Sequence, residues 1–370
     1  MEDPLVRQEA IAAALKNKDF RTAATLIQAW QKQDPKDPRL MLTIGQYQEA
    51  TERWEAAEKT YVRLLRVAAS QKLMTQARQG IQRVQQQLAD ARAEALETAR
   101  AQPGNLDPGL LCLEPVQGEQ RKAAAQGLAK IMQLDPYTAG LQLPSKGWRL
   151  YRVGPTGEMH FYSQALTEVN TPAFAAKHAD VKALQVFRVQ YLRGVQPQVE
   201  VVCQNAEGQL GAIAFDWSEV SQIVTGQLPV FESVLDTNVR NQLTRKEKTQ
   251  DYAEVVDLHF HQRRCLLRLC DRTYNFSQGN PLPNAATIPD KSLSTRPQWN
   301  ALVTYIREQT QVPVQGGFAH FGEGALEYLD LLPSLPPHID LARGEPCHWD
   351  AAFHLYSGLH FLRRADTVPA

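Results

Sequence analysis

The first hundred residues resemble themselves when the chain is shifted by 34 positions, and this internal repeat constrains the fold more than any other feature. The shift superimposes side chains of similar size: Phe20 on Trp54, Ala23 on Ala57, and Ile27 on Tyr61. A period of this length is typical of units made of two helices and a turn. One such unit cannot bury its apolar face alone, so neighbouring units must stack. The sequence therefore predicts stacked helical hairpins in residues 1–100.

Two short segments carry a family resemblance. Asp19–Ala23 and Arg53–Ala57 resemble the turn and second-helix signature of the tetratricopeptide repeat (TPR) family. The third period departs from that pattern, because Gln71–Arg100 has no turn residue between its halves and predicts one long helix. In TPR proteins the first helices of the repeats line a groove that binds peptides or partner surfaces. The resemblance thus implies partner-binding positions at Gln8, Ala12, Leu15, Lys16, Arg39, Leu42, Gln46 and Glu49. The alternative is that these positions are merely solvated helix faces.

The rest of the chain differs in its pattern from the repeats. Residues 101–147 are rich in helix breakers and predict a linker with one short helix, at 121–134. In residues 148–278 apolar residues recur at every second position, which is the pattern of β-strands. Together with the helices predicted between the strands, this pattern predicts an α+β domain. Residues 279–370 predict helices that pack on this domain, at 298–310, 323–332 and 349–364.

Strands are predicted where short apolar runs lie between turn residues: 148–153, 187–192, 199–203, 210–216, 255–260 and 265–276. Helices are predicted at 158–169 and 218–225. The charged stretch 238–251 predicts a loop or a solvated helix. The predicted fold class is multidomain, with TPR-like helical hairpins followed by an α+β domain that has a mostly antiparallel sheet and C-terminal helices. The whole chain is similar to uncharacterised TPR proteins of cyanobacteria, which share settings like those of Trp217 and Cys270–Tyr274.

The segment Val255–His261 contains the clearest candidate for chemistry. Its Asp257, His259 and His261 resemble the Asp-x-His-x-His opening of metal-dependent amidohydrolases, since residues two apart on a strand share a face. Those enzymes continue through a large barrel, and the stretch of chain after His261 is too short to form one. We therefore favour the interpretation that His259 and His261 lie on the solvent-facing side of a strand over a metal site.

A second group of metal-ligand residue types lies near the end of the chain. Asp350 and His354 are one helical turn apart, but His360 falls on another part of the helix. A capped, partly exposed helix accounts for the group better than a metal does. We predict no catalytic residue, no metal and no resident cofactor. The whole group is Cys347, His348, Asp350, His354 and His360.

The overall composition limits the classes of partner. Forty basic residues balance forty acidic ones, which argues against a dedicated nucleic-acid binder. No apolar run is long enough for a membrane span, and the acidic N-terminal residues are unlike a signal peptide. The five cysteines are too scattered for a disulfide framework and predict buried free thiols. These features predict a cytoplasmic protein.

Together these patterns favour an adaptor or an assembly or regulatory factor that binds another protein through its repeats. Self-association through the long helix at 71–100 is a further expectation. The alternative function is an enzyme of the metal-dependent hydrolase type, or a small-ligand-binding domain, that carries a TPR docking module. A repeat scaffold serves many functions, so the partner's identity does not follow from it.

Overall fold

The structure is a computed structural model that describes residues 4–195, 198–237, 243–279, 295–341 and 347–365. The chain divides into two compact units, Met1–Thr98 and Ala99–Ala370. Helices dominate the first unit, and the second combines sheets with helices. This architecture confirms the predicted α and α+β fold class. Within the described ranges, no helix has the length and apolar character that a bilayer-spanning helix requires.

The first unit consists of two helical hairpins and all but the last three residues of a longer helix. Both helices of the first hairpin begin and end one full repeat period before their counterparts in the second. A helical pair of this kind buries its apolar stripe between its own helices and against the next pair. The helices are α1 (Pro4–Lys16), α2 (Phe20–Gln33), α3 (Pro38–Ala50), α4 (Trp54–Val67) and α5 (Gln71–Ala101).

The turns inside the two hairpins also match in detail. Lys18 and Glu52 occupy equivalent positions and both have φ of 58°, in the left-handed region. The backbone N–H of Asp19 donates to the carbonyl of Ala14 at 2.9 Å, and the equivalent bond from Arg53 measures 2.8 Å. The repeat is therefore one of backbone geometry as well as of side-chain size.

Tyr61 joins the second hairpin to α5. Its buried ring lies between two glycines, so that a Cβ built on Gly45 or Gly80 would stand 2.4 or 2.6 Å from a ring carbon. The Tyr61 hydroxyl donates to Glu49 at 2.8 Å, and the same carboxylate accepts two bonds from Arg83. Small residues on α3 and α5 thus admit one aromatic ring between them.

The second unit contains the remaining elements. In chain order they are β1 (Pro108–Leu113), α6 (Gln120–Met132), α7 (Pro136–Gln142), β2 (Arg149–Pro155), α8 (Thr156–Glu168), β3 (Ala173–Lys177), α9 (His178–Lys182), β4 (Gln185–Gly194), β5 (Val199–Gln204), β6 (Leu210–Phe215), β7 (Gln222–Thr237), β8 (Leu243–Phe260), β9 (Cys265–Cys270), α10 (Arg296–Gln309), β10 (Val314–Gln315), α11 (Phe318–Ala325) and α12 (His348–Ala365).

Two sheets organise this unit. The smaller sheet has the order β2-β1-β3 and is antiparallel. The larger has the order β10-β7-β8-β9-β4-β5-β6, with parallel pairs only at β10–β7 and β9–β4 among the strands described. The prediction of a mostly antiparallel sheet is therefore confirmed.

Helix α12 packs in a core that both sheets share. Leu110 of β1, Leu228 of β7 and Leu359 of α12 belong to one buried cluster. On the opposite face of the larger sheet, α10 contributes Trp299 and Leu302 to a separate core. Successive residues of β8 and β9 therefore face α12 and α10 in turn, because side chains alternate along a strand.

Several local predictions differ from the structure. The predicted helix at 218–225 is a single 3-10 turn followed by β7, and residues 243–251 of the predicted loop belong to β8. The predicted linker 101–147 contains β1, the central strand of the smaller sheet. The predicted strand 265–276 ends at Cys270, and the helix expected at 323–332 is displaced to Phe318–Ala325. In the β7–β8 hairpin, pairing between two long strands outweighs the local preference of a charged sequence.

We predict that Gly80→Ala destabilises the protein, although alanine is the better helix former. The new Cβ would press on the Tyr61 ring, which cannot move away because Gly45 lies on its other side. Overpacking costs about 1–3 kcal/mol, against a helix-propensity gain of up to about 1 kcal/mol. We expect the free energy of unfolding in urea to fall by about 1–2 kcal/mol. The neighbouring exposed change Gln79→Ala is the control, and an equal effect of both would contradict this packing.

Candidate functional site

The eight partner-binding positions predicted on the repeats fall into three groups. Ala12, Lys16 and Arg39 are exposed. The side chains of Gln8, Leu15 and Gln46 are partly buried, as is that of Glu49. Leu42 is buried with 1% of its surface exposed.

Leu42 is the correction in this set. It packs in a cluster with Tyr61 of α4 and with Ala77 and Val84 of α5, so α5 covers it. Glu49 is engaged within the unit by Tyr61 and by the salt bridge to Arg83. The remaining open surface is therefore smaller than the resemblance implied, and it consists mainly of the exposed side chains on α1 and α3.

A buried polar cluster lies in the second unit between β8, β9 and α12. Asp257 and His259 lie on the face of β8 towards α12, while their neighbours Val256 and Leu258 pack on the α10 side. Arg268 of β9 is paired with Asp257 in the strand register. Ser357 of α12 completes the set. All four side chains are between 0 and 2% exposed: Asp257, His259, Arg268 and Ser357.

Arg268 and Asp257 form a bidentate ion pair. The guanidinium Nε donates to Oδ1 of Asp257 at 2.8 Å, and Nη2 donates to Oδ2 at 2.7 Å. The third nitrogen, Nη1, donates to the carbonyl of Pro337 at 2.6 Å, and the guanidinium lies 5.0 Å from the centre of the Phe353 ring. Every nitrogen of the arginine side chain is thus engaged, as a buried charge requires.

Ser357, His259 and Asp257 are linked in an order that does not activate the serine. Ser357 Oγ donates to Oδ2 of Asp257 at 2.5 Å, since a carboxylate can only accept. His259 Nε2 lies 3.0 Å from the same Oγ. Because the hydroxyl hydrogen of Ser357 is already used in the bond to Asp257, Nε2 must be the donor of this second hydrogen bond. In a nucleophilic triad the imidazole instead takes the serine proton. The set is therefore structural, and it is closed to solvent.

The Asp-x-His-x-His motif does not converge on a metal site. Both oxygens of the Asp257 carboxylate are bound by the guanidinium of Arg268. The positive charge of that guanidinium disfavours the binding of a metal cation at the same place. His261 contacts the Ser221 hydroxyl through Nδ1, and its Nε2 is 2.8 Å from the carbonyl of Phe361. Among the residues the structure describes, no three His, Cys, Asp or Glu side chains are grouped as metal ligands. The expectation that the two imidazoles face solvent is wrong, since His259 is fully buried and His261 half-buried.

The second predicted group is spread along α12 rather than gathered. His354 faces His338 at 5.1 Å between ring centres, while His360 stacks on Trp148 at 3.8 Å. Asp350 is 6% exposed at the other end of the helix. The expectation of a partly exposed helix is also wrong, because every residue from 351 to 361 is buried.

Burial keeps several of these imidazoles neutral. It lowers the pKa of His338 to about 4 and that of His360 to about 3. Burial also holds the pKa of His259 well below its ordinary value, and the positive charges of Arg268 and Arg364 act in the same direction. Burial further raises the pKa of Cys270 to about 11, so its thiol stays protonated.

Sequence reasoning missed Arg268, which completes the buried polar cluster. Arg268 had a usable signal, because it is the one charged residue in the apolar strand Cys265–Cys270, and a buried arginine requires a partner. Buried free thiols were correctly predicted for four of the five cysteines, and only Cys347 is partly exposed.

Comparisons with known proteins give no assignment. No protein family, no curated protein and no solved structure matches the chain.

We predict that Asp257→Asn destabilises the second unit strongly. The amide keeps the shape of the carboxylate but leaves the buried Arg268 charge without its counter-ion, at a cost of about 3–5 kcal/mol. Urea unfolding at pH 7 measures the loss. The matched control is Glu200→Gln, which breaks an exposed pair with Arg193 and should cost less than about 1 kcal/mol. Similar losses in both variants would contradict a structural role for the buried pair.

We also predict that stability falls as the pH drops below about 6.5. The unfolded chain protonates its histidines near that value, whereas the folded state keeps His338 neutral to about pH 4 and His360 to about pH 3. His360 alone should account for about 2 kcal/mol of the difference in unfolding free energy between pH 7 and pH 5. His360→Gln should remove that share, and the exposed His160→Gln should not. An unchanged pH dependence in His360→Gln would refute this assignment.

Proposed function

We propose that the chain binds another protein through its helical hairpins and acts as an adaptor or as an assembly or regulatory factor. The observation that supports the proposal is the recurrence of both helices and of the turn geometry with a single period. Stacked hairpins present the first helix of each unit side by side, and such surfaces commonly receive a partner. The TPR family resemblance of Asp19–Ala23 and Arg53–Ala57 points the same way.

The open side chains of α1 and α3 define the surface through which the partner would be bound. Ala12, Lys16 and Arg39 are exposed, and Gln8, Leu15 and Gln46 border them. Lys16 and Arg39 would meet acidic groups of the partner, and Ala12 would allow close approach. The proposed compartment is the cytoplasm, because four cysteines are buried thiols without disulfide bonds: Cys112, Cys203, Cys265 and Cys270.

A metal-dependent hydrolase is not favoured as a second candidate. Arg268 holds the carboxylate of Asp257 in the resembling motif, and the hydroxyl of Ser357 donates a hydrogen bond to the same carboxylate.

We predict that Lys16→Glu with Arg39→Glu abolishes partner binding without unfolding the protein. The paired charge reversal would repel an acidic partner surface, while both side chains are exposed and contribute little to packing. Full-length protein is used as bait in native extract, and recovered proteins are quantified by mass spectrometry. A partner recovered with wild-type protein should fall at least about tenfold with the double variant, and its affinity is then measured with purified components.

The matched control is Arg21→Glu with Lys59→Glu, which reverses two exposed charges on the second helices α2 and α4. It should recover the partner as the wild type does, and circular dichroism should show equal helicity in all three proteins. Equal recovery with both double variants would contradict the proposed surface. Recovery of nothing beyond the bait itself would contradict the adaptor function.

A further inference from the structure

Strand β6 stands at one end of the larger sheet and has a free edge. It pairs with β5 on one side, and no strand that the structure describes lies on its other side. The segment Leu210–Phe215 contains neither a charged residue nor a proline, and its pairing with β5 runs without a bulge. Charges, prolines and bulges are the features that keep edge strands from pairing with another chain. This edge is therefore open to the addition of a strand.

The turn between β5 and β6 shows which backbone groups point outwards. The N–H of Asn205 donates to the carbonyl of Gln209 at 3.1 Å. Bonded pairs alternate along an antiparallel ladder, so every second residue from Leu210 onwards directs its N–H and C=O away from β5. Arg263 agrees with this direction, because it lies outside the β5–β6 pair and donates to the carbonyl of Ala214 at 2.9 Å. A carbonyl oxygen has two lone pairs, so this one can still accept a second bond.

Gly211 has no evident role within the chain itself. Its φ is not in the left-handed region, and a Cβ built on it would meet no heavy atom within 4 Å. Glycine weakens a strand, and there it often marks a place where another backbone approaches closely. The adjacent Leu210 is a large apolar residue with 67% of its surface exposed. A second chain packed against this edge would account for both residues.

The side chains of β6 fit those of a second β6 that runs antiparallel to it. A two-fold axis through Ala212 places this residue opposite the Ala212 of the other copy. Leu210 then lies opposite the small Ala214 on the same face of the sheet, and the half-exposed Ile213 lies opposite Gly211 on the other face. Each large side chain meets a small one, and no like charges face each other. The strand is thus complementary to itself.

We propose that the protein forms a two-fold symmetric dimer in which the β6 strands of two copies pair and join the two larger sheets. Ala212 exchanges backbone hydrogen bonds with the Ala212 of the other copy, and Leu210 does so with Ala214. The space beside Gly211 receives Ile213 of the other copy. This surface belongs to the second unit, so the pairing is separate from the partner binding proposed for the hairpins. One strand from each copy is a small contact, and the dissociation constant should lie at about 1–100 μM.

Ala212→Pro tests the backbone pairing. Proline removes an N–H that faces away from β5, and an edge strand tolerates proline where its nitrogen faces solvent, so the variant should fold. Sedimentation equilibrium of the full chain at about 1–500 μM gives the dissociation constant. We expect wild-type protein to approach twice the chain mass of 41.5 kDa. The dissociation constant of Ala212→Pro should be at least about tenfold higher.

The matched control is Ala206→Pro in the neighbouring turn. The N–H of Gly208 donates to the carbonyl of Asn205 at 3.1 Å, which makes Ala206 the second residue of a β-turn. Proline is favoured at that position of a type I turn. This variant should dimerise as the wild type does.

Gly211→Val separates pairing from folding. The chain leaves room for a side chain at this position, and a β-branched residue favours a strand, so the free energy of unfolding at low protein concentration should not fall. The new side chain would meet Ile213 of the other copy and should raise the dissociation constant at least about tenfold. Hydrogen exchange adds a direct readout, because the amides of Leu210, Ala212 and Ala214 should exchange more slowly once the wild-type protein dimerises.

Several results would overturn the proposal. A wild-type chain that stays monomeric up to about 500 μM would contradict it, even if its β6 edge bound an extended segment of another protein. An unchanged dissociation constant in folded Ala212→Pro or in Gly211→Val would place the contact elsewhere, for example on α5. Oligomers that grow beyond the dimer would contradict a two-fold contact, which closes after two copies. Circular dichroism identifies a variant that fails to fold, and Gly211→Val then decides.

Discussion

The ion pair between Arg268 and Asp257 is the contact on which the second unit depends. Both side chains lie under α12, a helix that is buried at every residue from 351 to 361. A helix covered on every side normally meets apolar neighbours only. Here it meets a charged pair, and the burial is sustainable because every nitrogen of the guanidinium has an acceptor. Breaking the pair would leave a charge in a place that water cannot reach.

The two units position their helices by different physical means. In the first, size complementarity decides, since the ring of Tyr61 fits only because Gly45 and Gly80 have no side chains. In the second unit, hydrogen bonds determine the position of α12, because the hydroxyl of Ser357 in α12 donates to the carboxylate of Asp257 in β8 at 2.5 Å. Apolar packing tolerates small rotations of a helix, whereas a buried polar contact tolerates few. The hydrogen bonds therefore fix the rotation of α12 about its axis.

Patterns within single elements made much of this fold predictable. The repeat period predicts the hairpins because like residues recur at the same turns, as Phe20 and Trp54 do. The β7–β8 hairpin escaped prediction, since the pairing of distant residues holds a charged strand together there. The polar cluster escaped for the same reason: Asp257 and Ser357 lie far apart in the chain, and only the fold brings them together. The lone arginine of the apolar strand Cys265–Cys270 was a local sign of it, as were Asp257 and His259.

The polar cluster also determines how the end of α12 is placed. Ser357, His360 and Arg364 are separated by intervals of three and four positions, so they occupy one face of the helix. The hydrogen bonds of Ser357 fix that face against β8, and the same rotation sets where His360 and Arg364 stand one and two turns further on. His261 extends the connection, because its Nε2 reaches the carbonyl of Phe361. The buried charges therefore also determine where the side chains at the end of α12 stand.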